Sequence, residues 1–327
     1  MLSSHYTPLP RKVSHTYSTL QSKRAYDPTH TSTLRAAFER AMSTKFAKLR
    51  GEIRKAIVVE DCFGLRPLKT NATMGNRAFD FGTSADKVEA FMEWLHKESS
   101  AIILDLTNTD VVKVGSGINK AWTNTYIDSS YQKGIARART ELLAAGYPVP
   151  SVEESGGIHV LFNQPIHTDR VGILYTRVFT QLKGITDQMG TQISQVLSQA
   201  MMDGKGPAEM ARLLTRTITG PMGDLGITDT LGRFIPAQRR AMTLARTEVI
   251  RAHHLATVQE YRNFGVAGVN VKAELRTAGD DRVCDKCKSL EAQTFTLDAV
   301  EKLIPVHPGC RCCAIPKPYD DKKGATK

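Results

Sequence analysis

Long apolar runs are missing from this chain: none approaches the ~20 residues that a membrane-spanning helix needs. The opening stretch, MLSSHYTPLPRKV, lacks the apolar centre of a secretory signal, so none is read there. Cysteine is nearly absent before residue 284. Cys62 stands alone, and one early thiol cannot build a disulfide framework, so a reducing compartment is expected. Also lacking are a Gly-Lys-Ser/Thr phosphate loop, a Gly-x-Ser-x-Gly elbow and a dinucleotide fingerprint, so the common motifs of nucleotide and acyl chemistry give no purchase.

Acidic residues are few against basic ones, leaving a net charge of +11. The excess is concentrated in residues 1–60, where eleven Lys or Arg face four Asp or Glu. Arg35, Arg40, Lys45, Lys48, Arg54 and Lys55 are the candidate contacts to DNA or phosphate, since such a run neutralises phosphates without reading sequence. The alternative is a solvated basic helix face, because no aromatic platform accompanies the charge.

At 327 residues there is room for about two domains, and the periodicity is mostly helical. Residues 1–30 read as a basic flexible arm ending at Asp27-Pro28. Leu34, Phe38, Met42, Phe46, Leu49, Ile53 and Ile57 then make one apolar stripe, with Ser32 or Thr33 available as cap. A Gly/Asn/Thr-rich stretch (64–83) precedes a shorter helix that starts at Ser84 and buries Val88, Phe91 and Leu95. After a break at Gly115–Gly117, the segment around Trp122, Tyr126, Ile135 and Leu142 is helical to Gly146.

Three prolines and Gly156-Gly157 in residues 147–165 mark a domain boundary. A long helix follows from Thr168, with bends expected at Gly184 and Gly190. Pro207 opens another helix, 220–232 is a glycine-rich loop, and Pro236–Phe264 is helical again. Val269–Leu275 and Thr294–Thr296 are the strands. The resulting division is an arm (1–30), a helical N-terminal domain (31–150), a C-terminal domain (165–316) ending in a knot (276–316), and a tail (317–327).

The most specific pattern is Cys284-x2-Cys287, then 19 residues, then His307-Pro-Gly-Cys310-Arg-Cys312-Cys313. A Cys-x2-Cys turn brings two thiolates to one side, and a second short cluster can close a tetrahedral site that suits Zn2+ best. Buried free thiols or disulfides are the alternative. The preferred ligands are Cys284, Cys287, His307 and Cys310; Cys312 could displace His307, and Cys313 is a spectator. Four protein ligands leave no water to activate, so such a site is structural.

Arg246 and Glu248 are two apart on a helix and point about 200° apart, so they cannot form one local site. Glu248 lies on an apolar stripe and needs a cationic partner: Arg251 at i+3, or Arg276 or Arg282 from the knot. Arg246, Glu248 and Arg251 are therefore assigned to structural ion pairing, not catalysis. His253 and His254 are adjacent, not one turn apart, which is the wrong spacing for a metalloprotease pair.

Ala245-Arg246-Thr247-Glu248, the Thr277–Cys287 block TAGDDRVCDKC and the Pro305–Cys312 block PVHPGCRC occur in this order. Together they resemble the phage Mu F-like family of minor head, or head morphogenesis, proteins, over roughly residues 165–316. The resemblance implies a virion component at the capsid interior or portal vertex, assembled in the host cytoplasm. Its implied partners are the portal and the major capsid or scaffold protein, with non-specific double-stranded DNA as a further candidate, and its implied roles are head assembly and genome delivery. The alternative is a phage-encoded effector or nuclease-like enzyme related to Mu F-type toxin carriers. Because the sequence runs only fifteen residues past Cys312, the toxin-bearing version is not expected. Cys313 beside Cys312 departs from the family's ending. The fold expected is mainly α, with a helical N-terminal region and a helical C-terminal domain that closes in a small strand-bearing zinc knot (α+β).

Overall fold

The protein is described by a computed structural model over residues 27–65, 84–105, 121–220, 235–265 and 271–317. Most of the expected arm, the Gly115–Gly117 break, nearly all of the 64–83 and 220–232 stretches, and the tail beyond Lys317 lie outside these residues. Within them the chain is mainly helical, with a small sheet at the C-terminal end. No described helix is long and apolar enough to cross a membrane.

Helix α1 (Ser32–Arg54) forms where the apolar spacing of three and four predicts it: Phe38, Met42, Phe46, Leu49 and Ile53 are buried on one side. Neither Ser32 nor Thr33 caps it. Asp27 does, from five residues back: its carboxylate accepts the amides of Thr31 (2.9 Å) and Ser32 (2.6 Å), and also the Thr29 hydroxyl. An ionised acceptor at a helix start is worth about 1 kcal/mol. Helices α2 (Ser84–Ser99) and α3 (Asn124–Ala144) follow, with Phe91 and Leu95 buried and Val88 half-buried. Phe38 stacks on Tyr126 (4.4 Å between ring centroids) and meets the edge of Trp122, so those two aromatics belong to the interior packing.

The connection over 147–165 contains a short helix, α4 (Ile158–Phe162), and does not separate two cores. Helices from both sides of it, α5 (Pro165–Met202), α6 (Pro207–Thr219) and α7 (Ala237–Gly265), share one apolar cluster with α1, α2 and α3. Arg139 of α3 explains the closure. Its guanidinium donates to the Pro150 carbonyl (3.0 Å) and the Ser155 hydroxyl (2.6 Å) while pairing with Glu260 of α7 (2.6 Å). Helix α5 runs unbroken through Gly184 and Gly190, starting three residues before the expected Thr168.

Helix α7 is covered on two sides. Ala245, Val249, Ala252 and Ala256 face the first cluster, while Ile250, Val258 and Tyr261 join a second one with the sheet. Enclosure on both sides explains why polar residues such as Glu248, His253, His254 and Glu260 are buried in it. The sheet has the order β2-β1-β3, all antiparallel: β1 (Ala273–Arg276), β2 (Thr294–Phe295) and β3 (Cys313–Pro316). Two short helices, α8 (Asp285–Leu290) and α9 (Leu297–Leu303), complete the knot. Strand β1 is set by pairing Arg276 with Cys313 and Ala273 with Pro316, and the described residues 271 and 272 before it are not strand; the expected start at Val269 lies outside the described residues.

Candidate metal centre

The first cysteine pair brackets the start of α8, with Cys284 just before the helix and Cys287 in its first turn. His307 and Cys310 close a tight turn, in which the Cys310 amide donates to the His307 carbonyl (3.1 Å). Between them, Gly309 takes φ +74°, a conformation that glycine adopts without a Cβ penalty.

The His307 Nε2 stands 3.4 Å from the Cys284 sulfur and 3.2 Å from the Cys287 sulfur. Around one ion with Zn–S of ~2.3 Å and Zn–N of ~2.0 Å, a tetrahedral S···N edge is about 3.5 Å, so these separations fit. His307 Nδ1 donates to the Pro308 carbonyl (2.9 Å), which leaves the Nε2 lone pair facing the sulfurs.

Among the described residues, two groups could hold a metal ion: Cys284, Cys287 and His307, and Cys287, Cys310 and Cys312. In each, the donor atoms lie within 4.8 Å of one another, and Cys287 belongs to both. Three of the four preferred ligands thus stand together. Cys310 instead groups with Cys312 and Cys287, and its sulfur accepts the Cys312 amide at 3.5 Å. Cys313 points away: on β3 it alternates to the opposite face, where Arg137 donates to its sulfur (3.1 Å).

The thiols are unequal. The Cys287 amide, above all, lowers the Cys284 thiol below its ordinary range. Cys310 is lowered as the thiolate that accepts from the Cys312 thiol, and that thiol is raised in turn. Burial pushes Cys287 up to about 12, so a metal binding there must displace its proton.

Around the centre, Asp280 is held well below the usual carboxylate range by hydrogen bonds from Arg311, at 2.5 and 2.6 Å, with Arg282 adding a third. The knot is also bound to the helical body at several points. Glu301 receives Arg170 and Arg262 (both 2.6 Å), His254 Nε2 donates to the Val300 carbonyl (2.8 Å), and Tyr147 donates to the Lys317 carbonyl (2.8 Å).

Glu248 is buried and pairs with Arg251 (3.1 Å), as its i+3 spacing predicts. Its second arginine is Arg177 of α5 (3.3 Å), not Arg276 or Arg282 of the knot. Arg276 serves Glu274 and Glu291 and Arg282 serves Asp280, because those acids are nearer neighbours in the knot. Arg246 turns to Glu39 of α1 (3.4 Å). His253 and His254 are buried and held neutral by that burial, the latter pushed down to about 4.

Of the candidate phosphate contacts, Arg35 and Lys45 are engaged within the fold. Arg35 is buried against Asp27 (3.0 Å). Lys45 donates to the Ile102 carbonyl (3.1 Å) and lies 4.8 Å over the Trp122 ring. Arg40, Lys48, Arg54 and Lys55 are exposed, joined by Arg50, which the sequence reading had left out.

Sequence reasoning also missed a buried line of polar groups. Tyr131 meets His167 Nδ1 (3.1 Å), and His167 Nε2 donates to Glu260 (3.0 Å), whose other oxygen takes Arg139. A hydroxyl, an imidazole and a carboxylate in line suggest proton transfer, but all three residues are fully buried. The arrangement joins α3, α5 and α7 and presents nothing to a substrate. No sequence signal marks it, since its members are 93 and 36 residues apart.

No curated protein and no solved structure matches the chain. Residues 191–315 match the family model described as Phage Mu protein F like protein, a span that starts inside α5 and takes in α6, α7 and every cysteine of the knot. Over residues 191–315, then, the chain is similar to the Mu F-like phage proteins.

Proposed function

We propose that this chain is a minor head protein of a tailed phage, which joins the portal and the capsid or scaffold during assembly in the host cytoplasm. It remains in the virion and serves head assembly and genome delivery. The Mu F-like match over residues 191–315 carries this reading, because it spans the helices and the knot that together form one bonded unit.

The role is structural, not catalytic. Supporting this, the Glu248 carboxylate is taken up by two arginines, and His253 and His254 are neutral and enclosed. Cys284, Cys287 and His307, completed by Cys310 or Cys312, would hold Zn2+. A closed thiolate/imidazole site of this kind cross-links α8 to the 307–312 turn and supplies no open position for chemistry. The outward face of α1, with Arg40, Lys48 and Arg54, and Lys55 just past its end, suits the phosphate backbone of double-stranded DNA.

Quantitative mass spectrometry of purified particles and empty procapsids tests the proposal. A few copies per particle, already present in procapsids, are expected; absence from both would sink it and reopen the effector reading.

A further inference from the structure

Three consecutive residues of α7 reach three different parts of the molecule. Arg246 pairs with Glu39 of α1, and Glu248 pairs with Arg177 of α5. Between them, the Thr247 hydroxyl accepts the Gly309 amide at 2.9 Å while donating to the Thr243 carbonyl at 2.7 Å. Successive helical side chains diverge by about 100°, which allows one turn to serve three neighbours.

The Gly309 contact differs from the Val300, Glu301 and Lys317 bonds in its place along the chain. Gly309 lies between two candidate ligands, one residue before Cys310 and two after His307. Its left-handed backbone fixes the direction of both flanking residues, and Thr247 fixes the amide. The Val300, Glu301 and Lys317 contacts fall farther along the chain from any donor. Thr247 is half-buried, and its hydroxyl bonds are with the Thr243 carbonyl and the Gly309 amide.

We propose that Thr247 is a positioning residue of the metal centre: by holding the Gly309 amide, it keeps His307 and Cys310 aimed toward Cys287. The proposal rests on the metal-binding reading above. It gives the Ala245–Glu248 block a purpose, since that turn registers the metal loop against α1 and α5 at once. Groups that orient ligands without touching the metal typically change its affinity by about 10- to 100-fold when removed.

The full chain, freed of metal under reducing conditions, is titrated with Co2+ and then with competing Zn2+, alongside Thr247→Val, Thr247→Ala and Thr247→Ser. Circular dichroism identifies variants that retain the wild-type helix content. Thr247→Val, or Thr247→Ala if the valine variant does not fold, is expected to bind one ion with the wild-type thiolate-to-cobalt band. Its affinity should be about 10- to 100-fold weaker, and Thr247→Ser should restore it. Unchanged affinity in the folded acceptor-less variants would overturn the proposal. So would a serine variant as weak as valine, because the hydroxyl that accepts the Gly309 amide would then be present without restoring affinity. If the wild-type chain binds neither ion, the metal reading itself fails and takes the proposal with it.

Discussion

Gly134 of α3 lies directly against the His253 carbonyl of α7: a Cβ at Gly134 would stand 2.3 Å from that oxygen and 2.7 Å from the Ala256 Cβ. Ser130 donates to the Val249 carbonyl (2.6 Å) one turn away, and the Thr257 hydroxyl reaches the Gly134 carbonyl (3.3 Å). The seam between these helices is made of small residues, and the backbones are close enough to exchange hydrogen bonds with side chains. Gly134→Ala must therefore push backbone, not a flexible side-chain end. The intrinsic helix gain of alanine, up to about 1 kcal/mol, opposes the change. Overpacking at about 1–3 kcal/mol exceeds it. A net loss in stability is expected in urea denaturation; equal or higher stability would show that the two helices separate freely.

Glu301 links the knot to both α5 and α7. Burial would raise its carboxyl, but hydrogen bonds from Arg262 and Arg170 outweigh this and hold it down at about 2. A carboxylate depressed in the folded state contributes stability above its unfolded pKa of about 4.3, and that stability is lost as pH falls toward 2. Both arginines are partly exposed, so the contribution is of the order of 1 kcal/mol. Glu301→Gln should lower stability at pH 7 and narrow its gap to wild type between about pH 4.5 and 2. A gap that stays constant across that window would mean that Glu301 carries no such linkage.

The helical framework was legible because its signal is local. The stripe from Phe38 to Ile53 repeats within one helix, and the structure buries it. The cysteine spacing likewise announced a cluster, because Cys-x2-Cys and the 307–312 turn each bring donors together over a few residues. What stayed hidden depends on distant partners. Strand β3 is four residues ending in proline and becomes a strand only by pairing with β1. Arg177 is 71 residues from Glu248, and Thr247 looks like any helix-surface threonine until Gly309, 62 residues on, is placed against it. Its one sequence signal was its position inside a block whose neighbours both carry charge.

Metal loss and knot unfolding should separate. Cys284 is exposed and shared with no bond to the helical body, whereas Cys313 is buried and receives Arg137. Cys284→Ser is expected to abolish tight Zn2+ binding, measured by elemental analysis of the purified chain. Cys313→Ser should keep one ion per chain while weakening the contact to α3. The Glu301, Val300 and Tyr147 bonds remain when the metal is absent, so chelation should expose the 277–290 and 305–312 segments to protease before β1 and α9. Simultaneous cleavage throughout 271–317 would show that the ion alone holds the knot.

The exposed cations of α1 give the DNA reading a form that can fail. On a helix of 3.6 residues per turn, positions 40, 48 and 54 fall on the outward half of α1, opposite the stripe of Phe38, Met42 and Phe46. Arg35 and Lys45 are excluded because Asp27, Ile102 and Trp122 already hold them. Counterion release gives a slope of about −0.9 in log affinity against log salt per phosphate neutralised. Replacing Arg40, Lys48 and Arg54 together by glutamine should flatten the measured slope by roughly 2–3 on any duplex sequence. Arg35→Gln should instead destabilise α1, because it removes a partner of the capping carboxylate, and leave the slope of the folded protein in place. Fluorescence anisotropy with labelled duplex across a salt series reads both. An unchanged slope in the triple variant would remove α1 as the DNA surface, leaving its basic face available for a protein partner such as the portal.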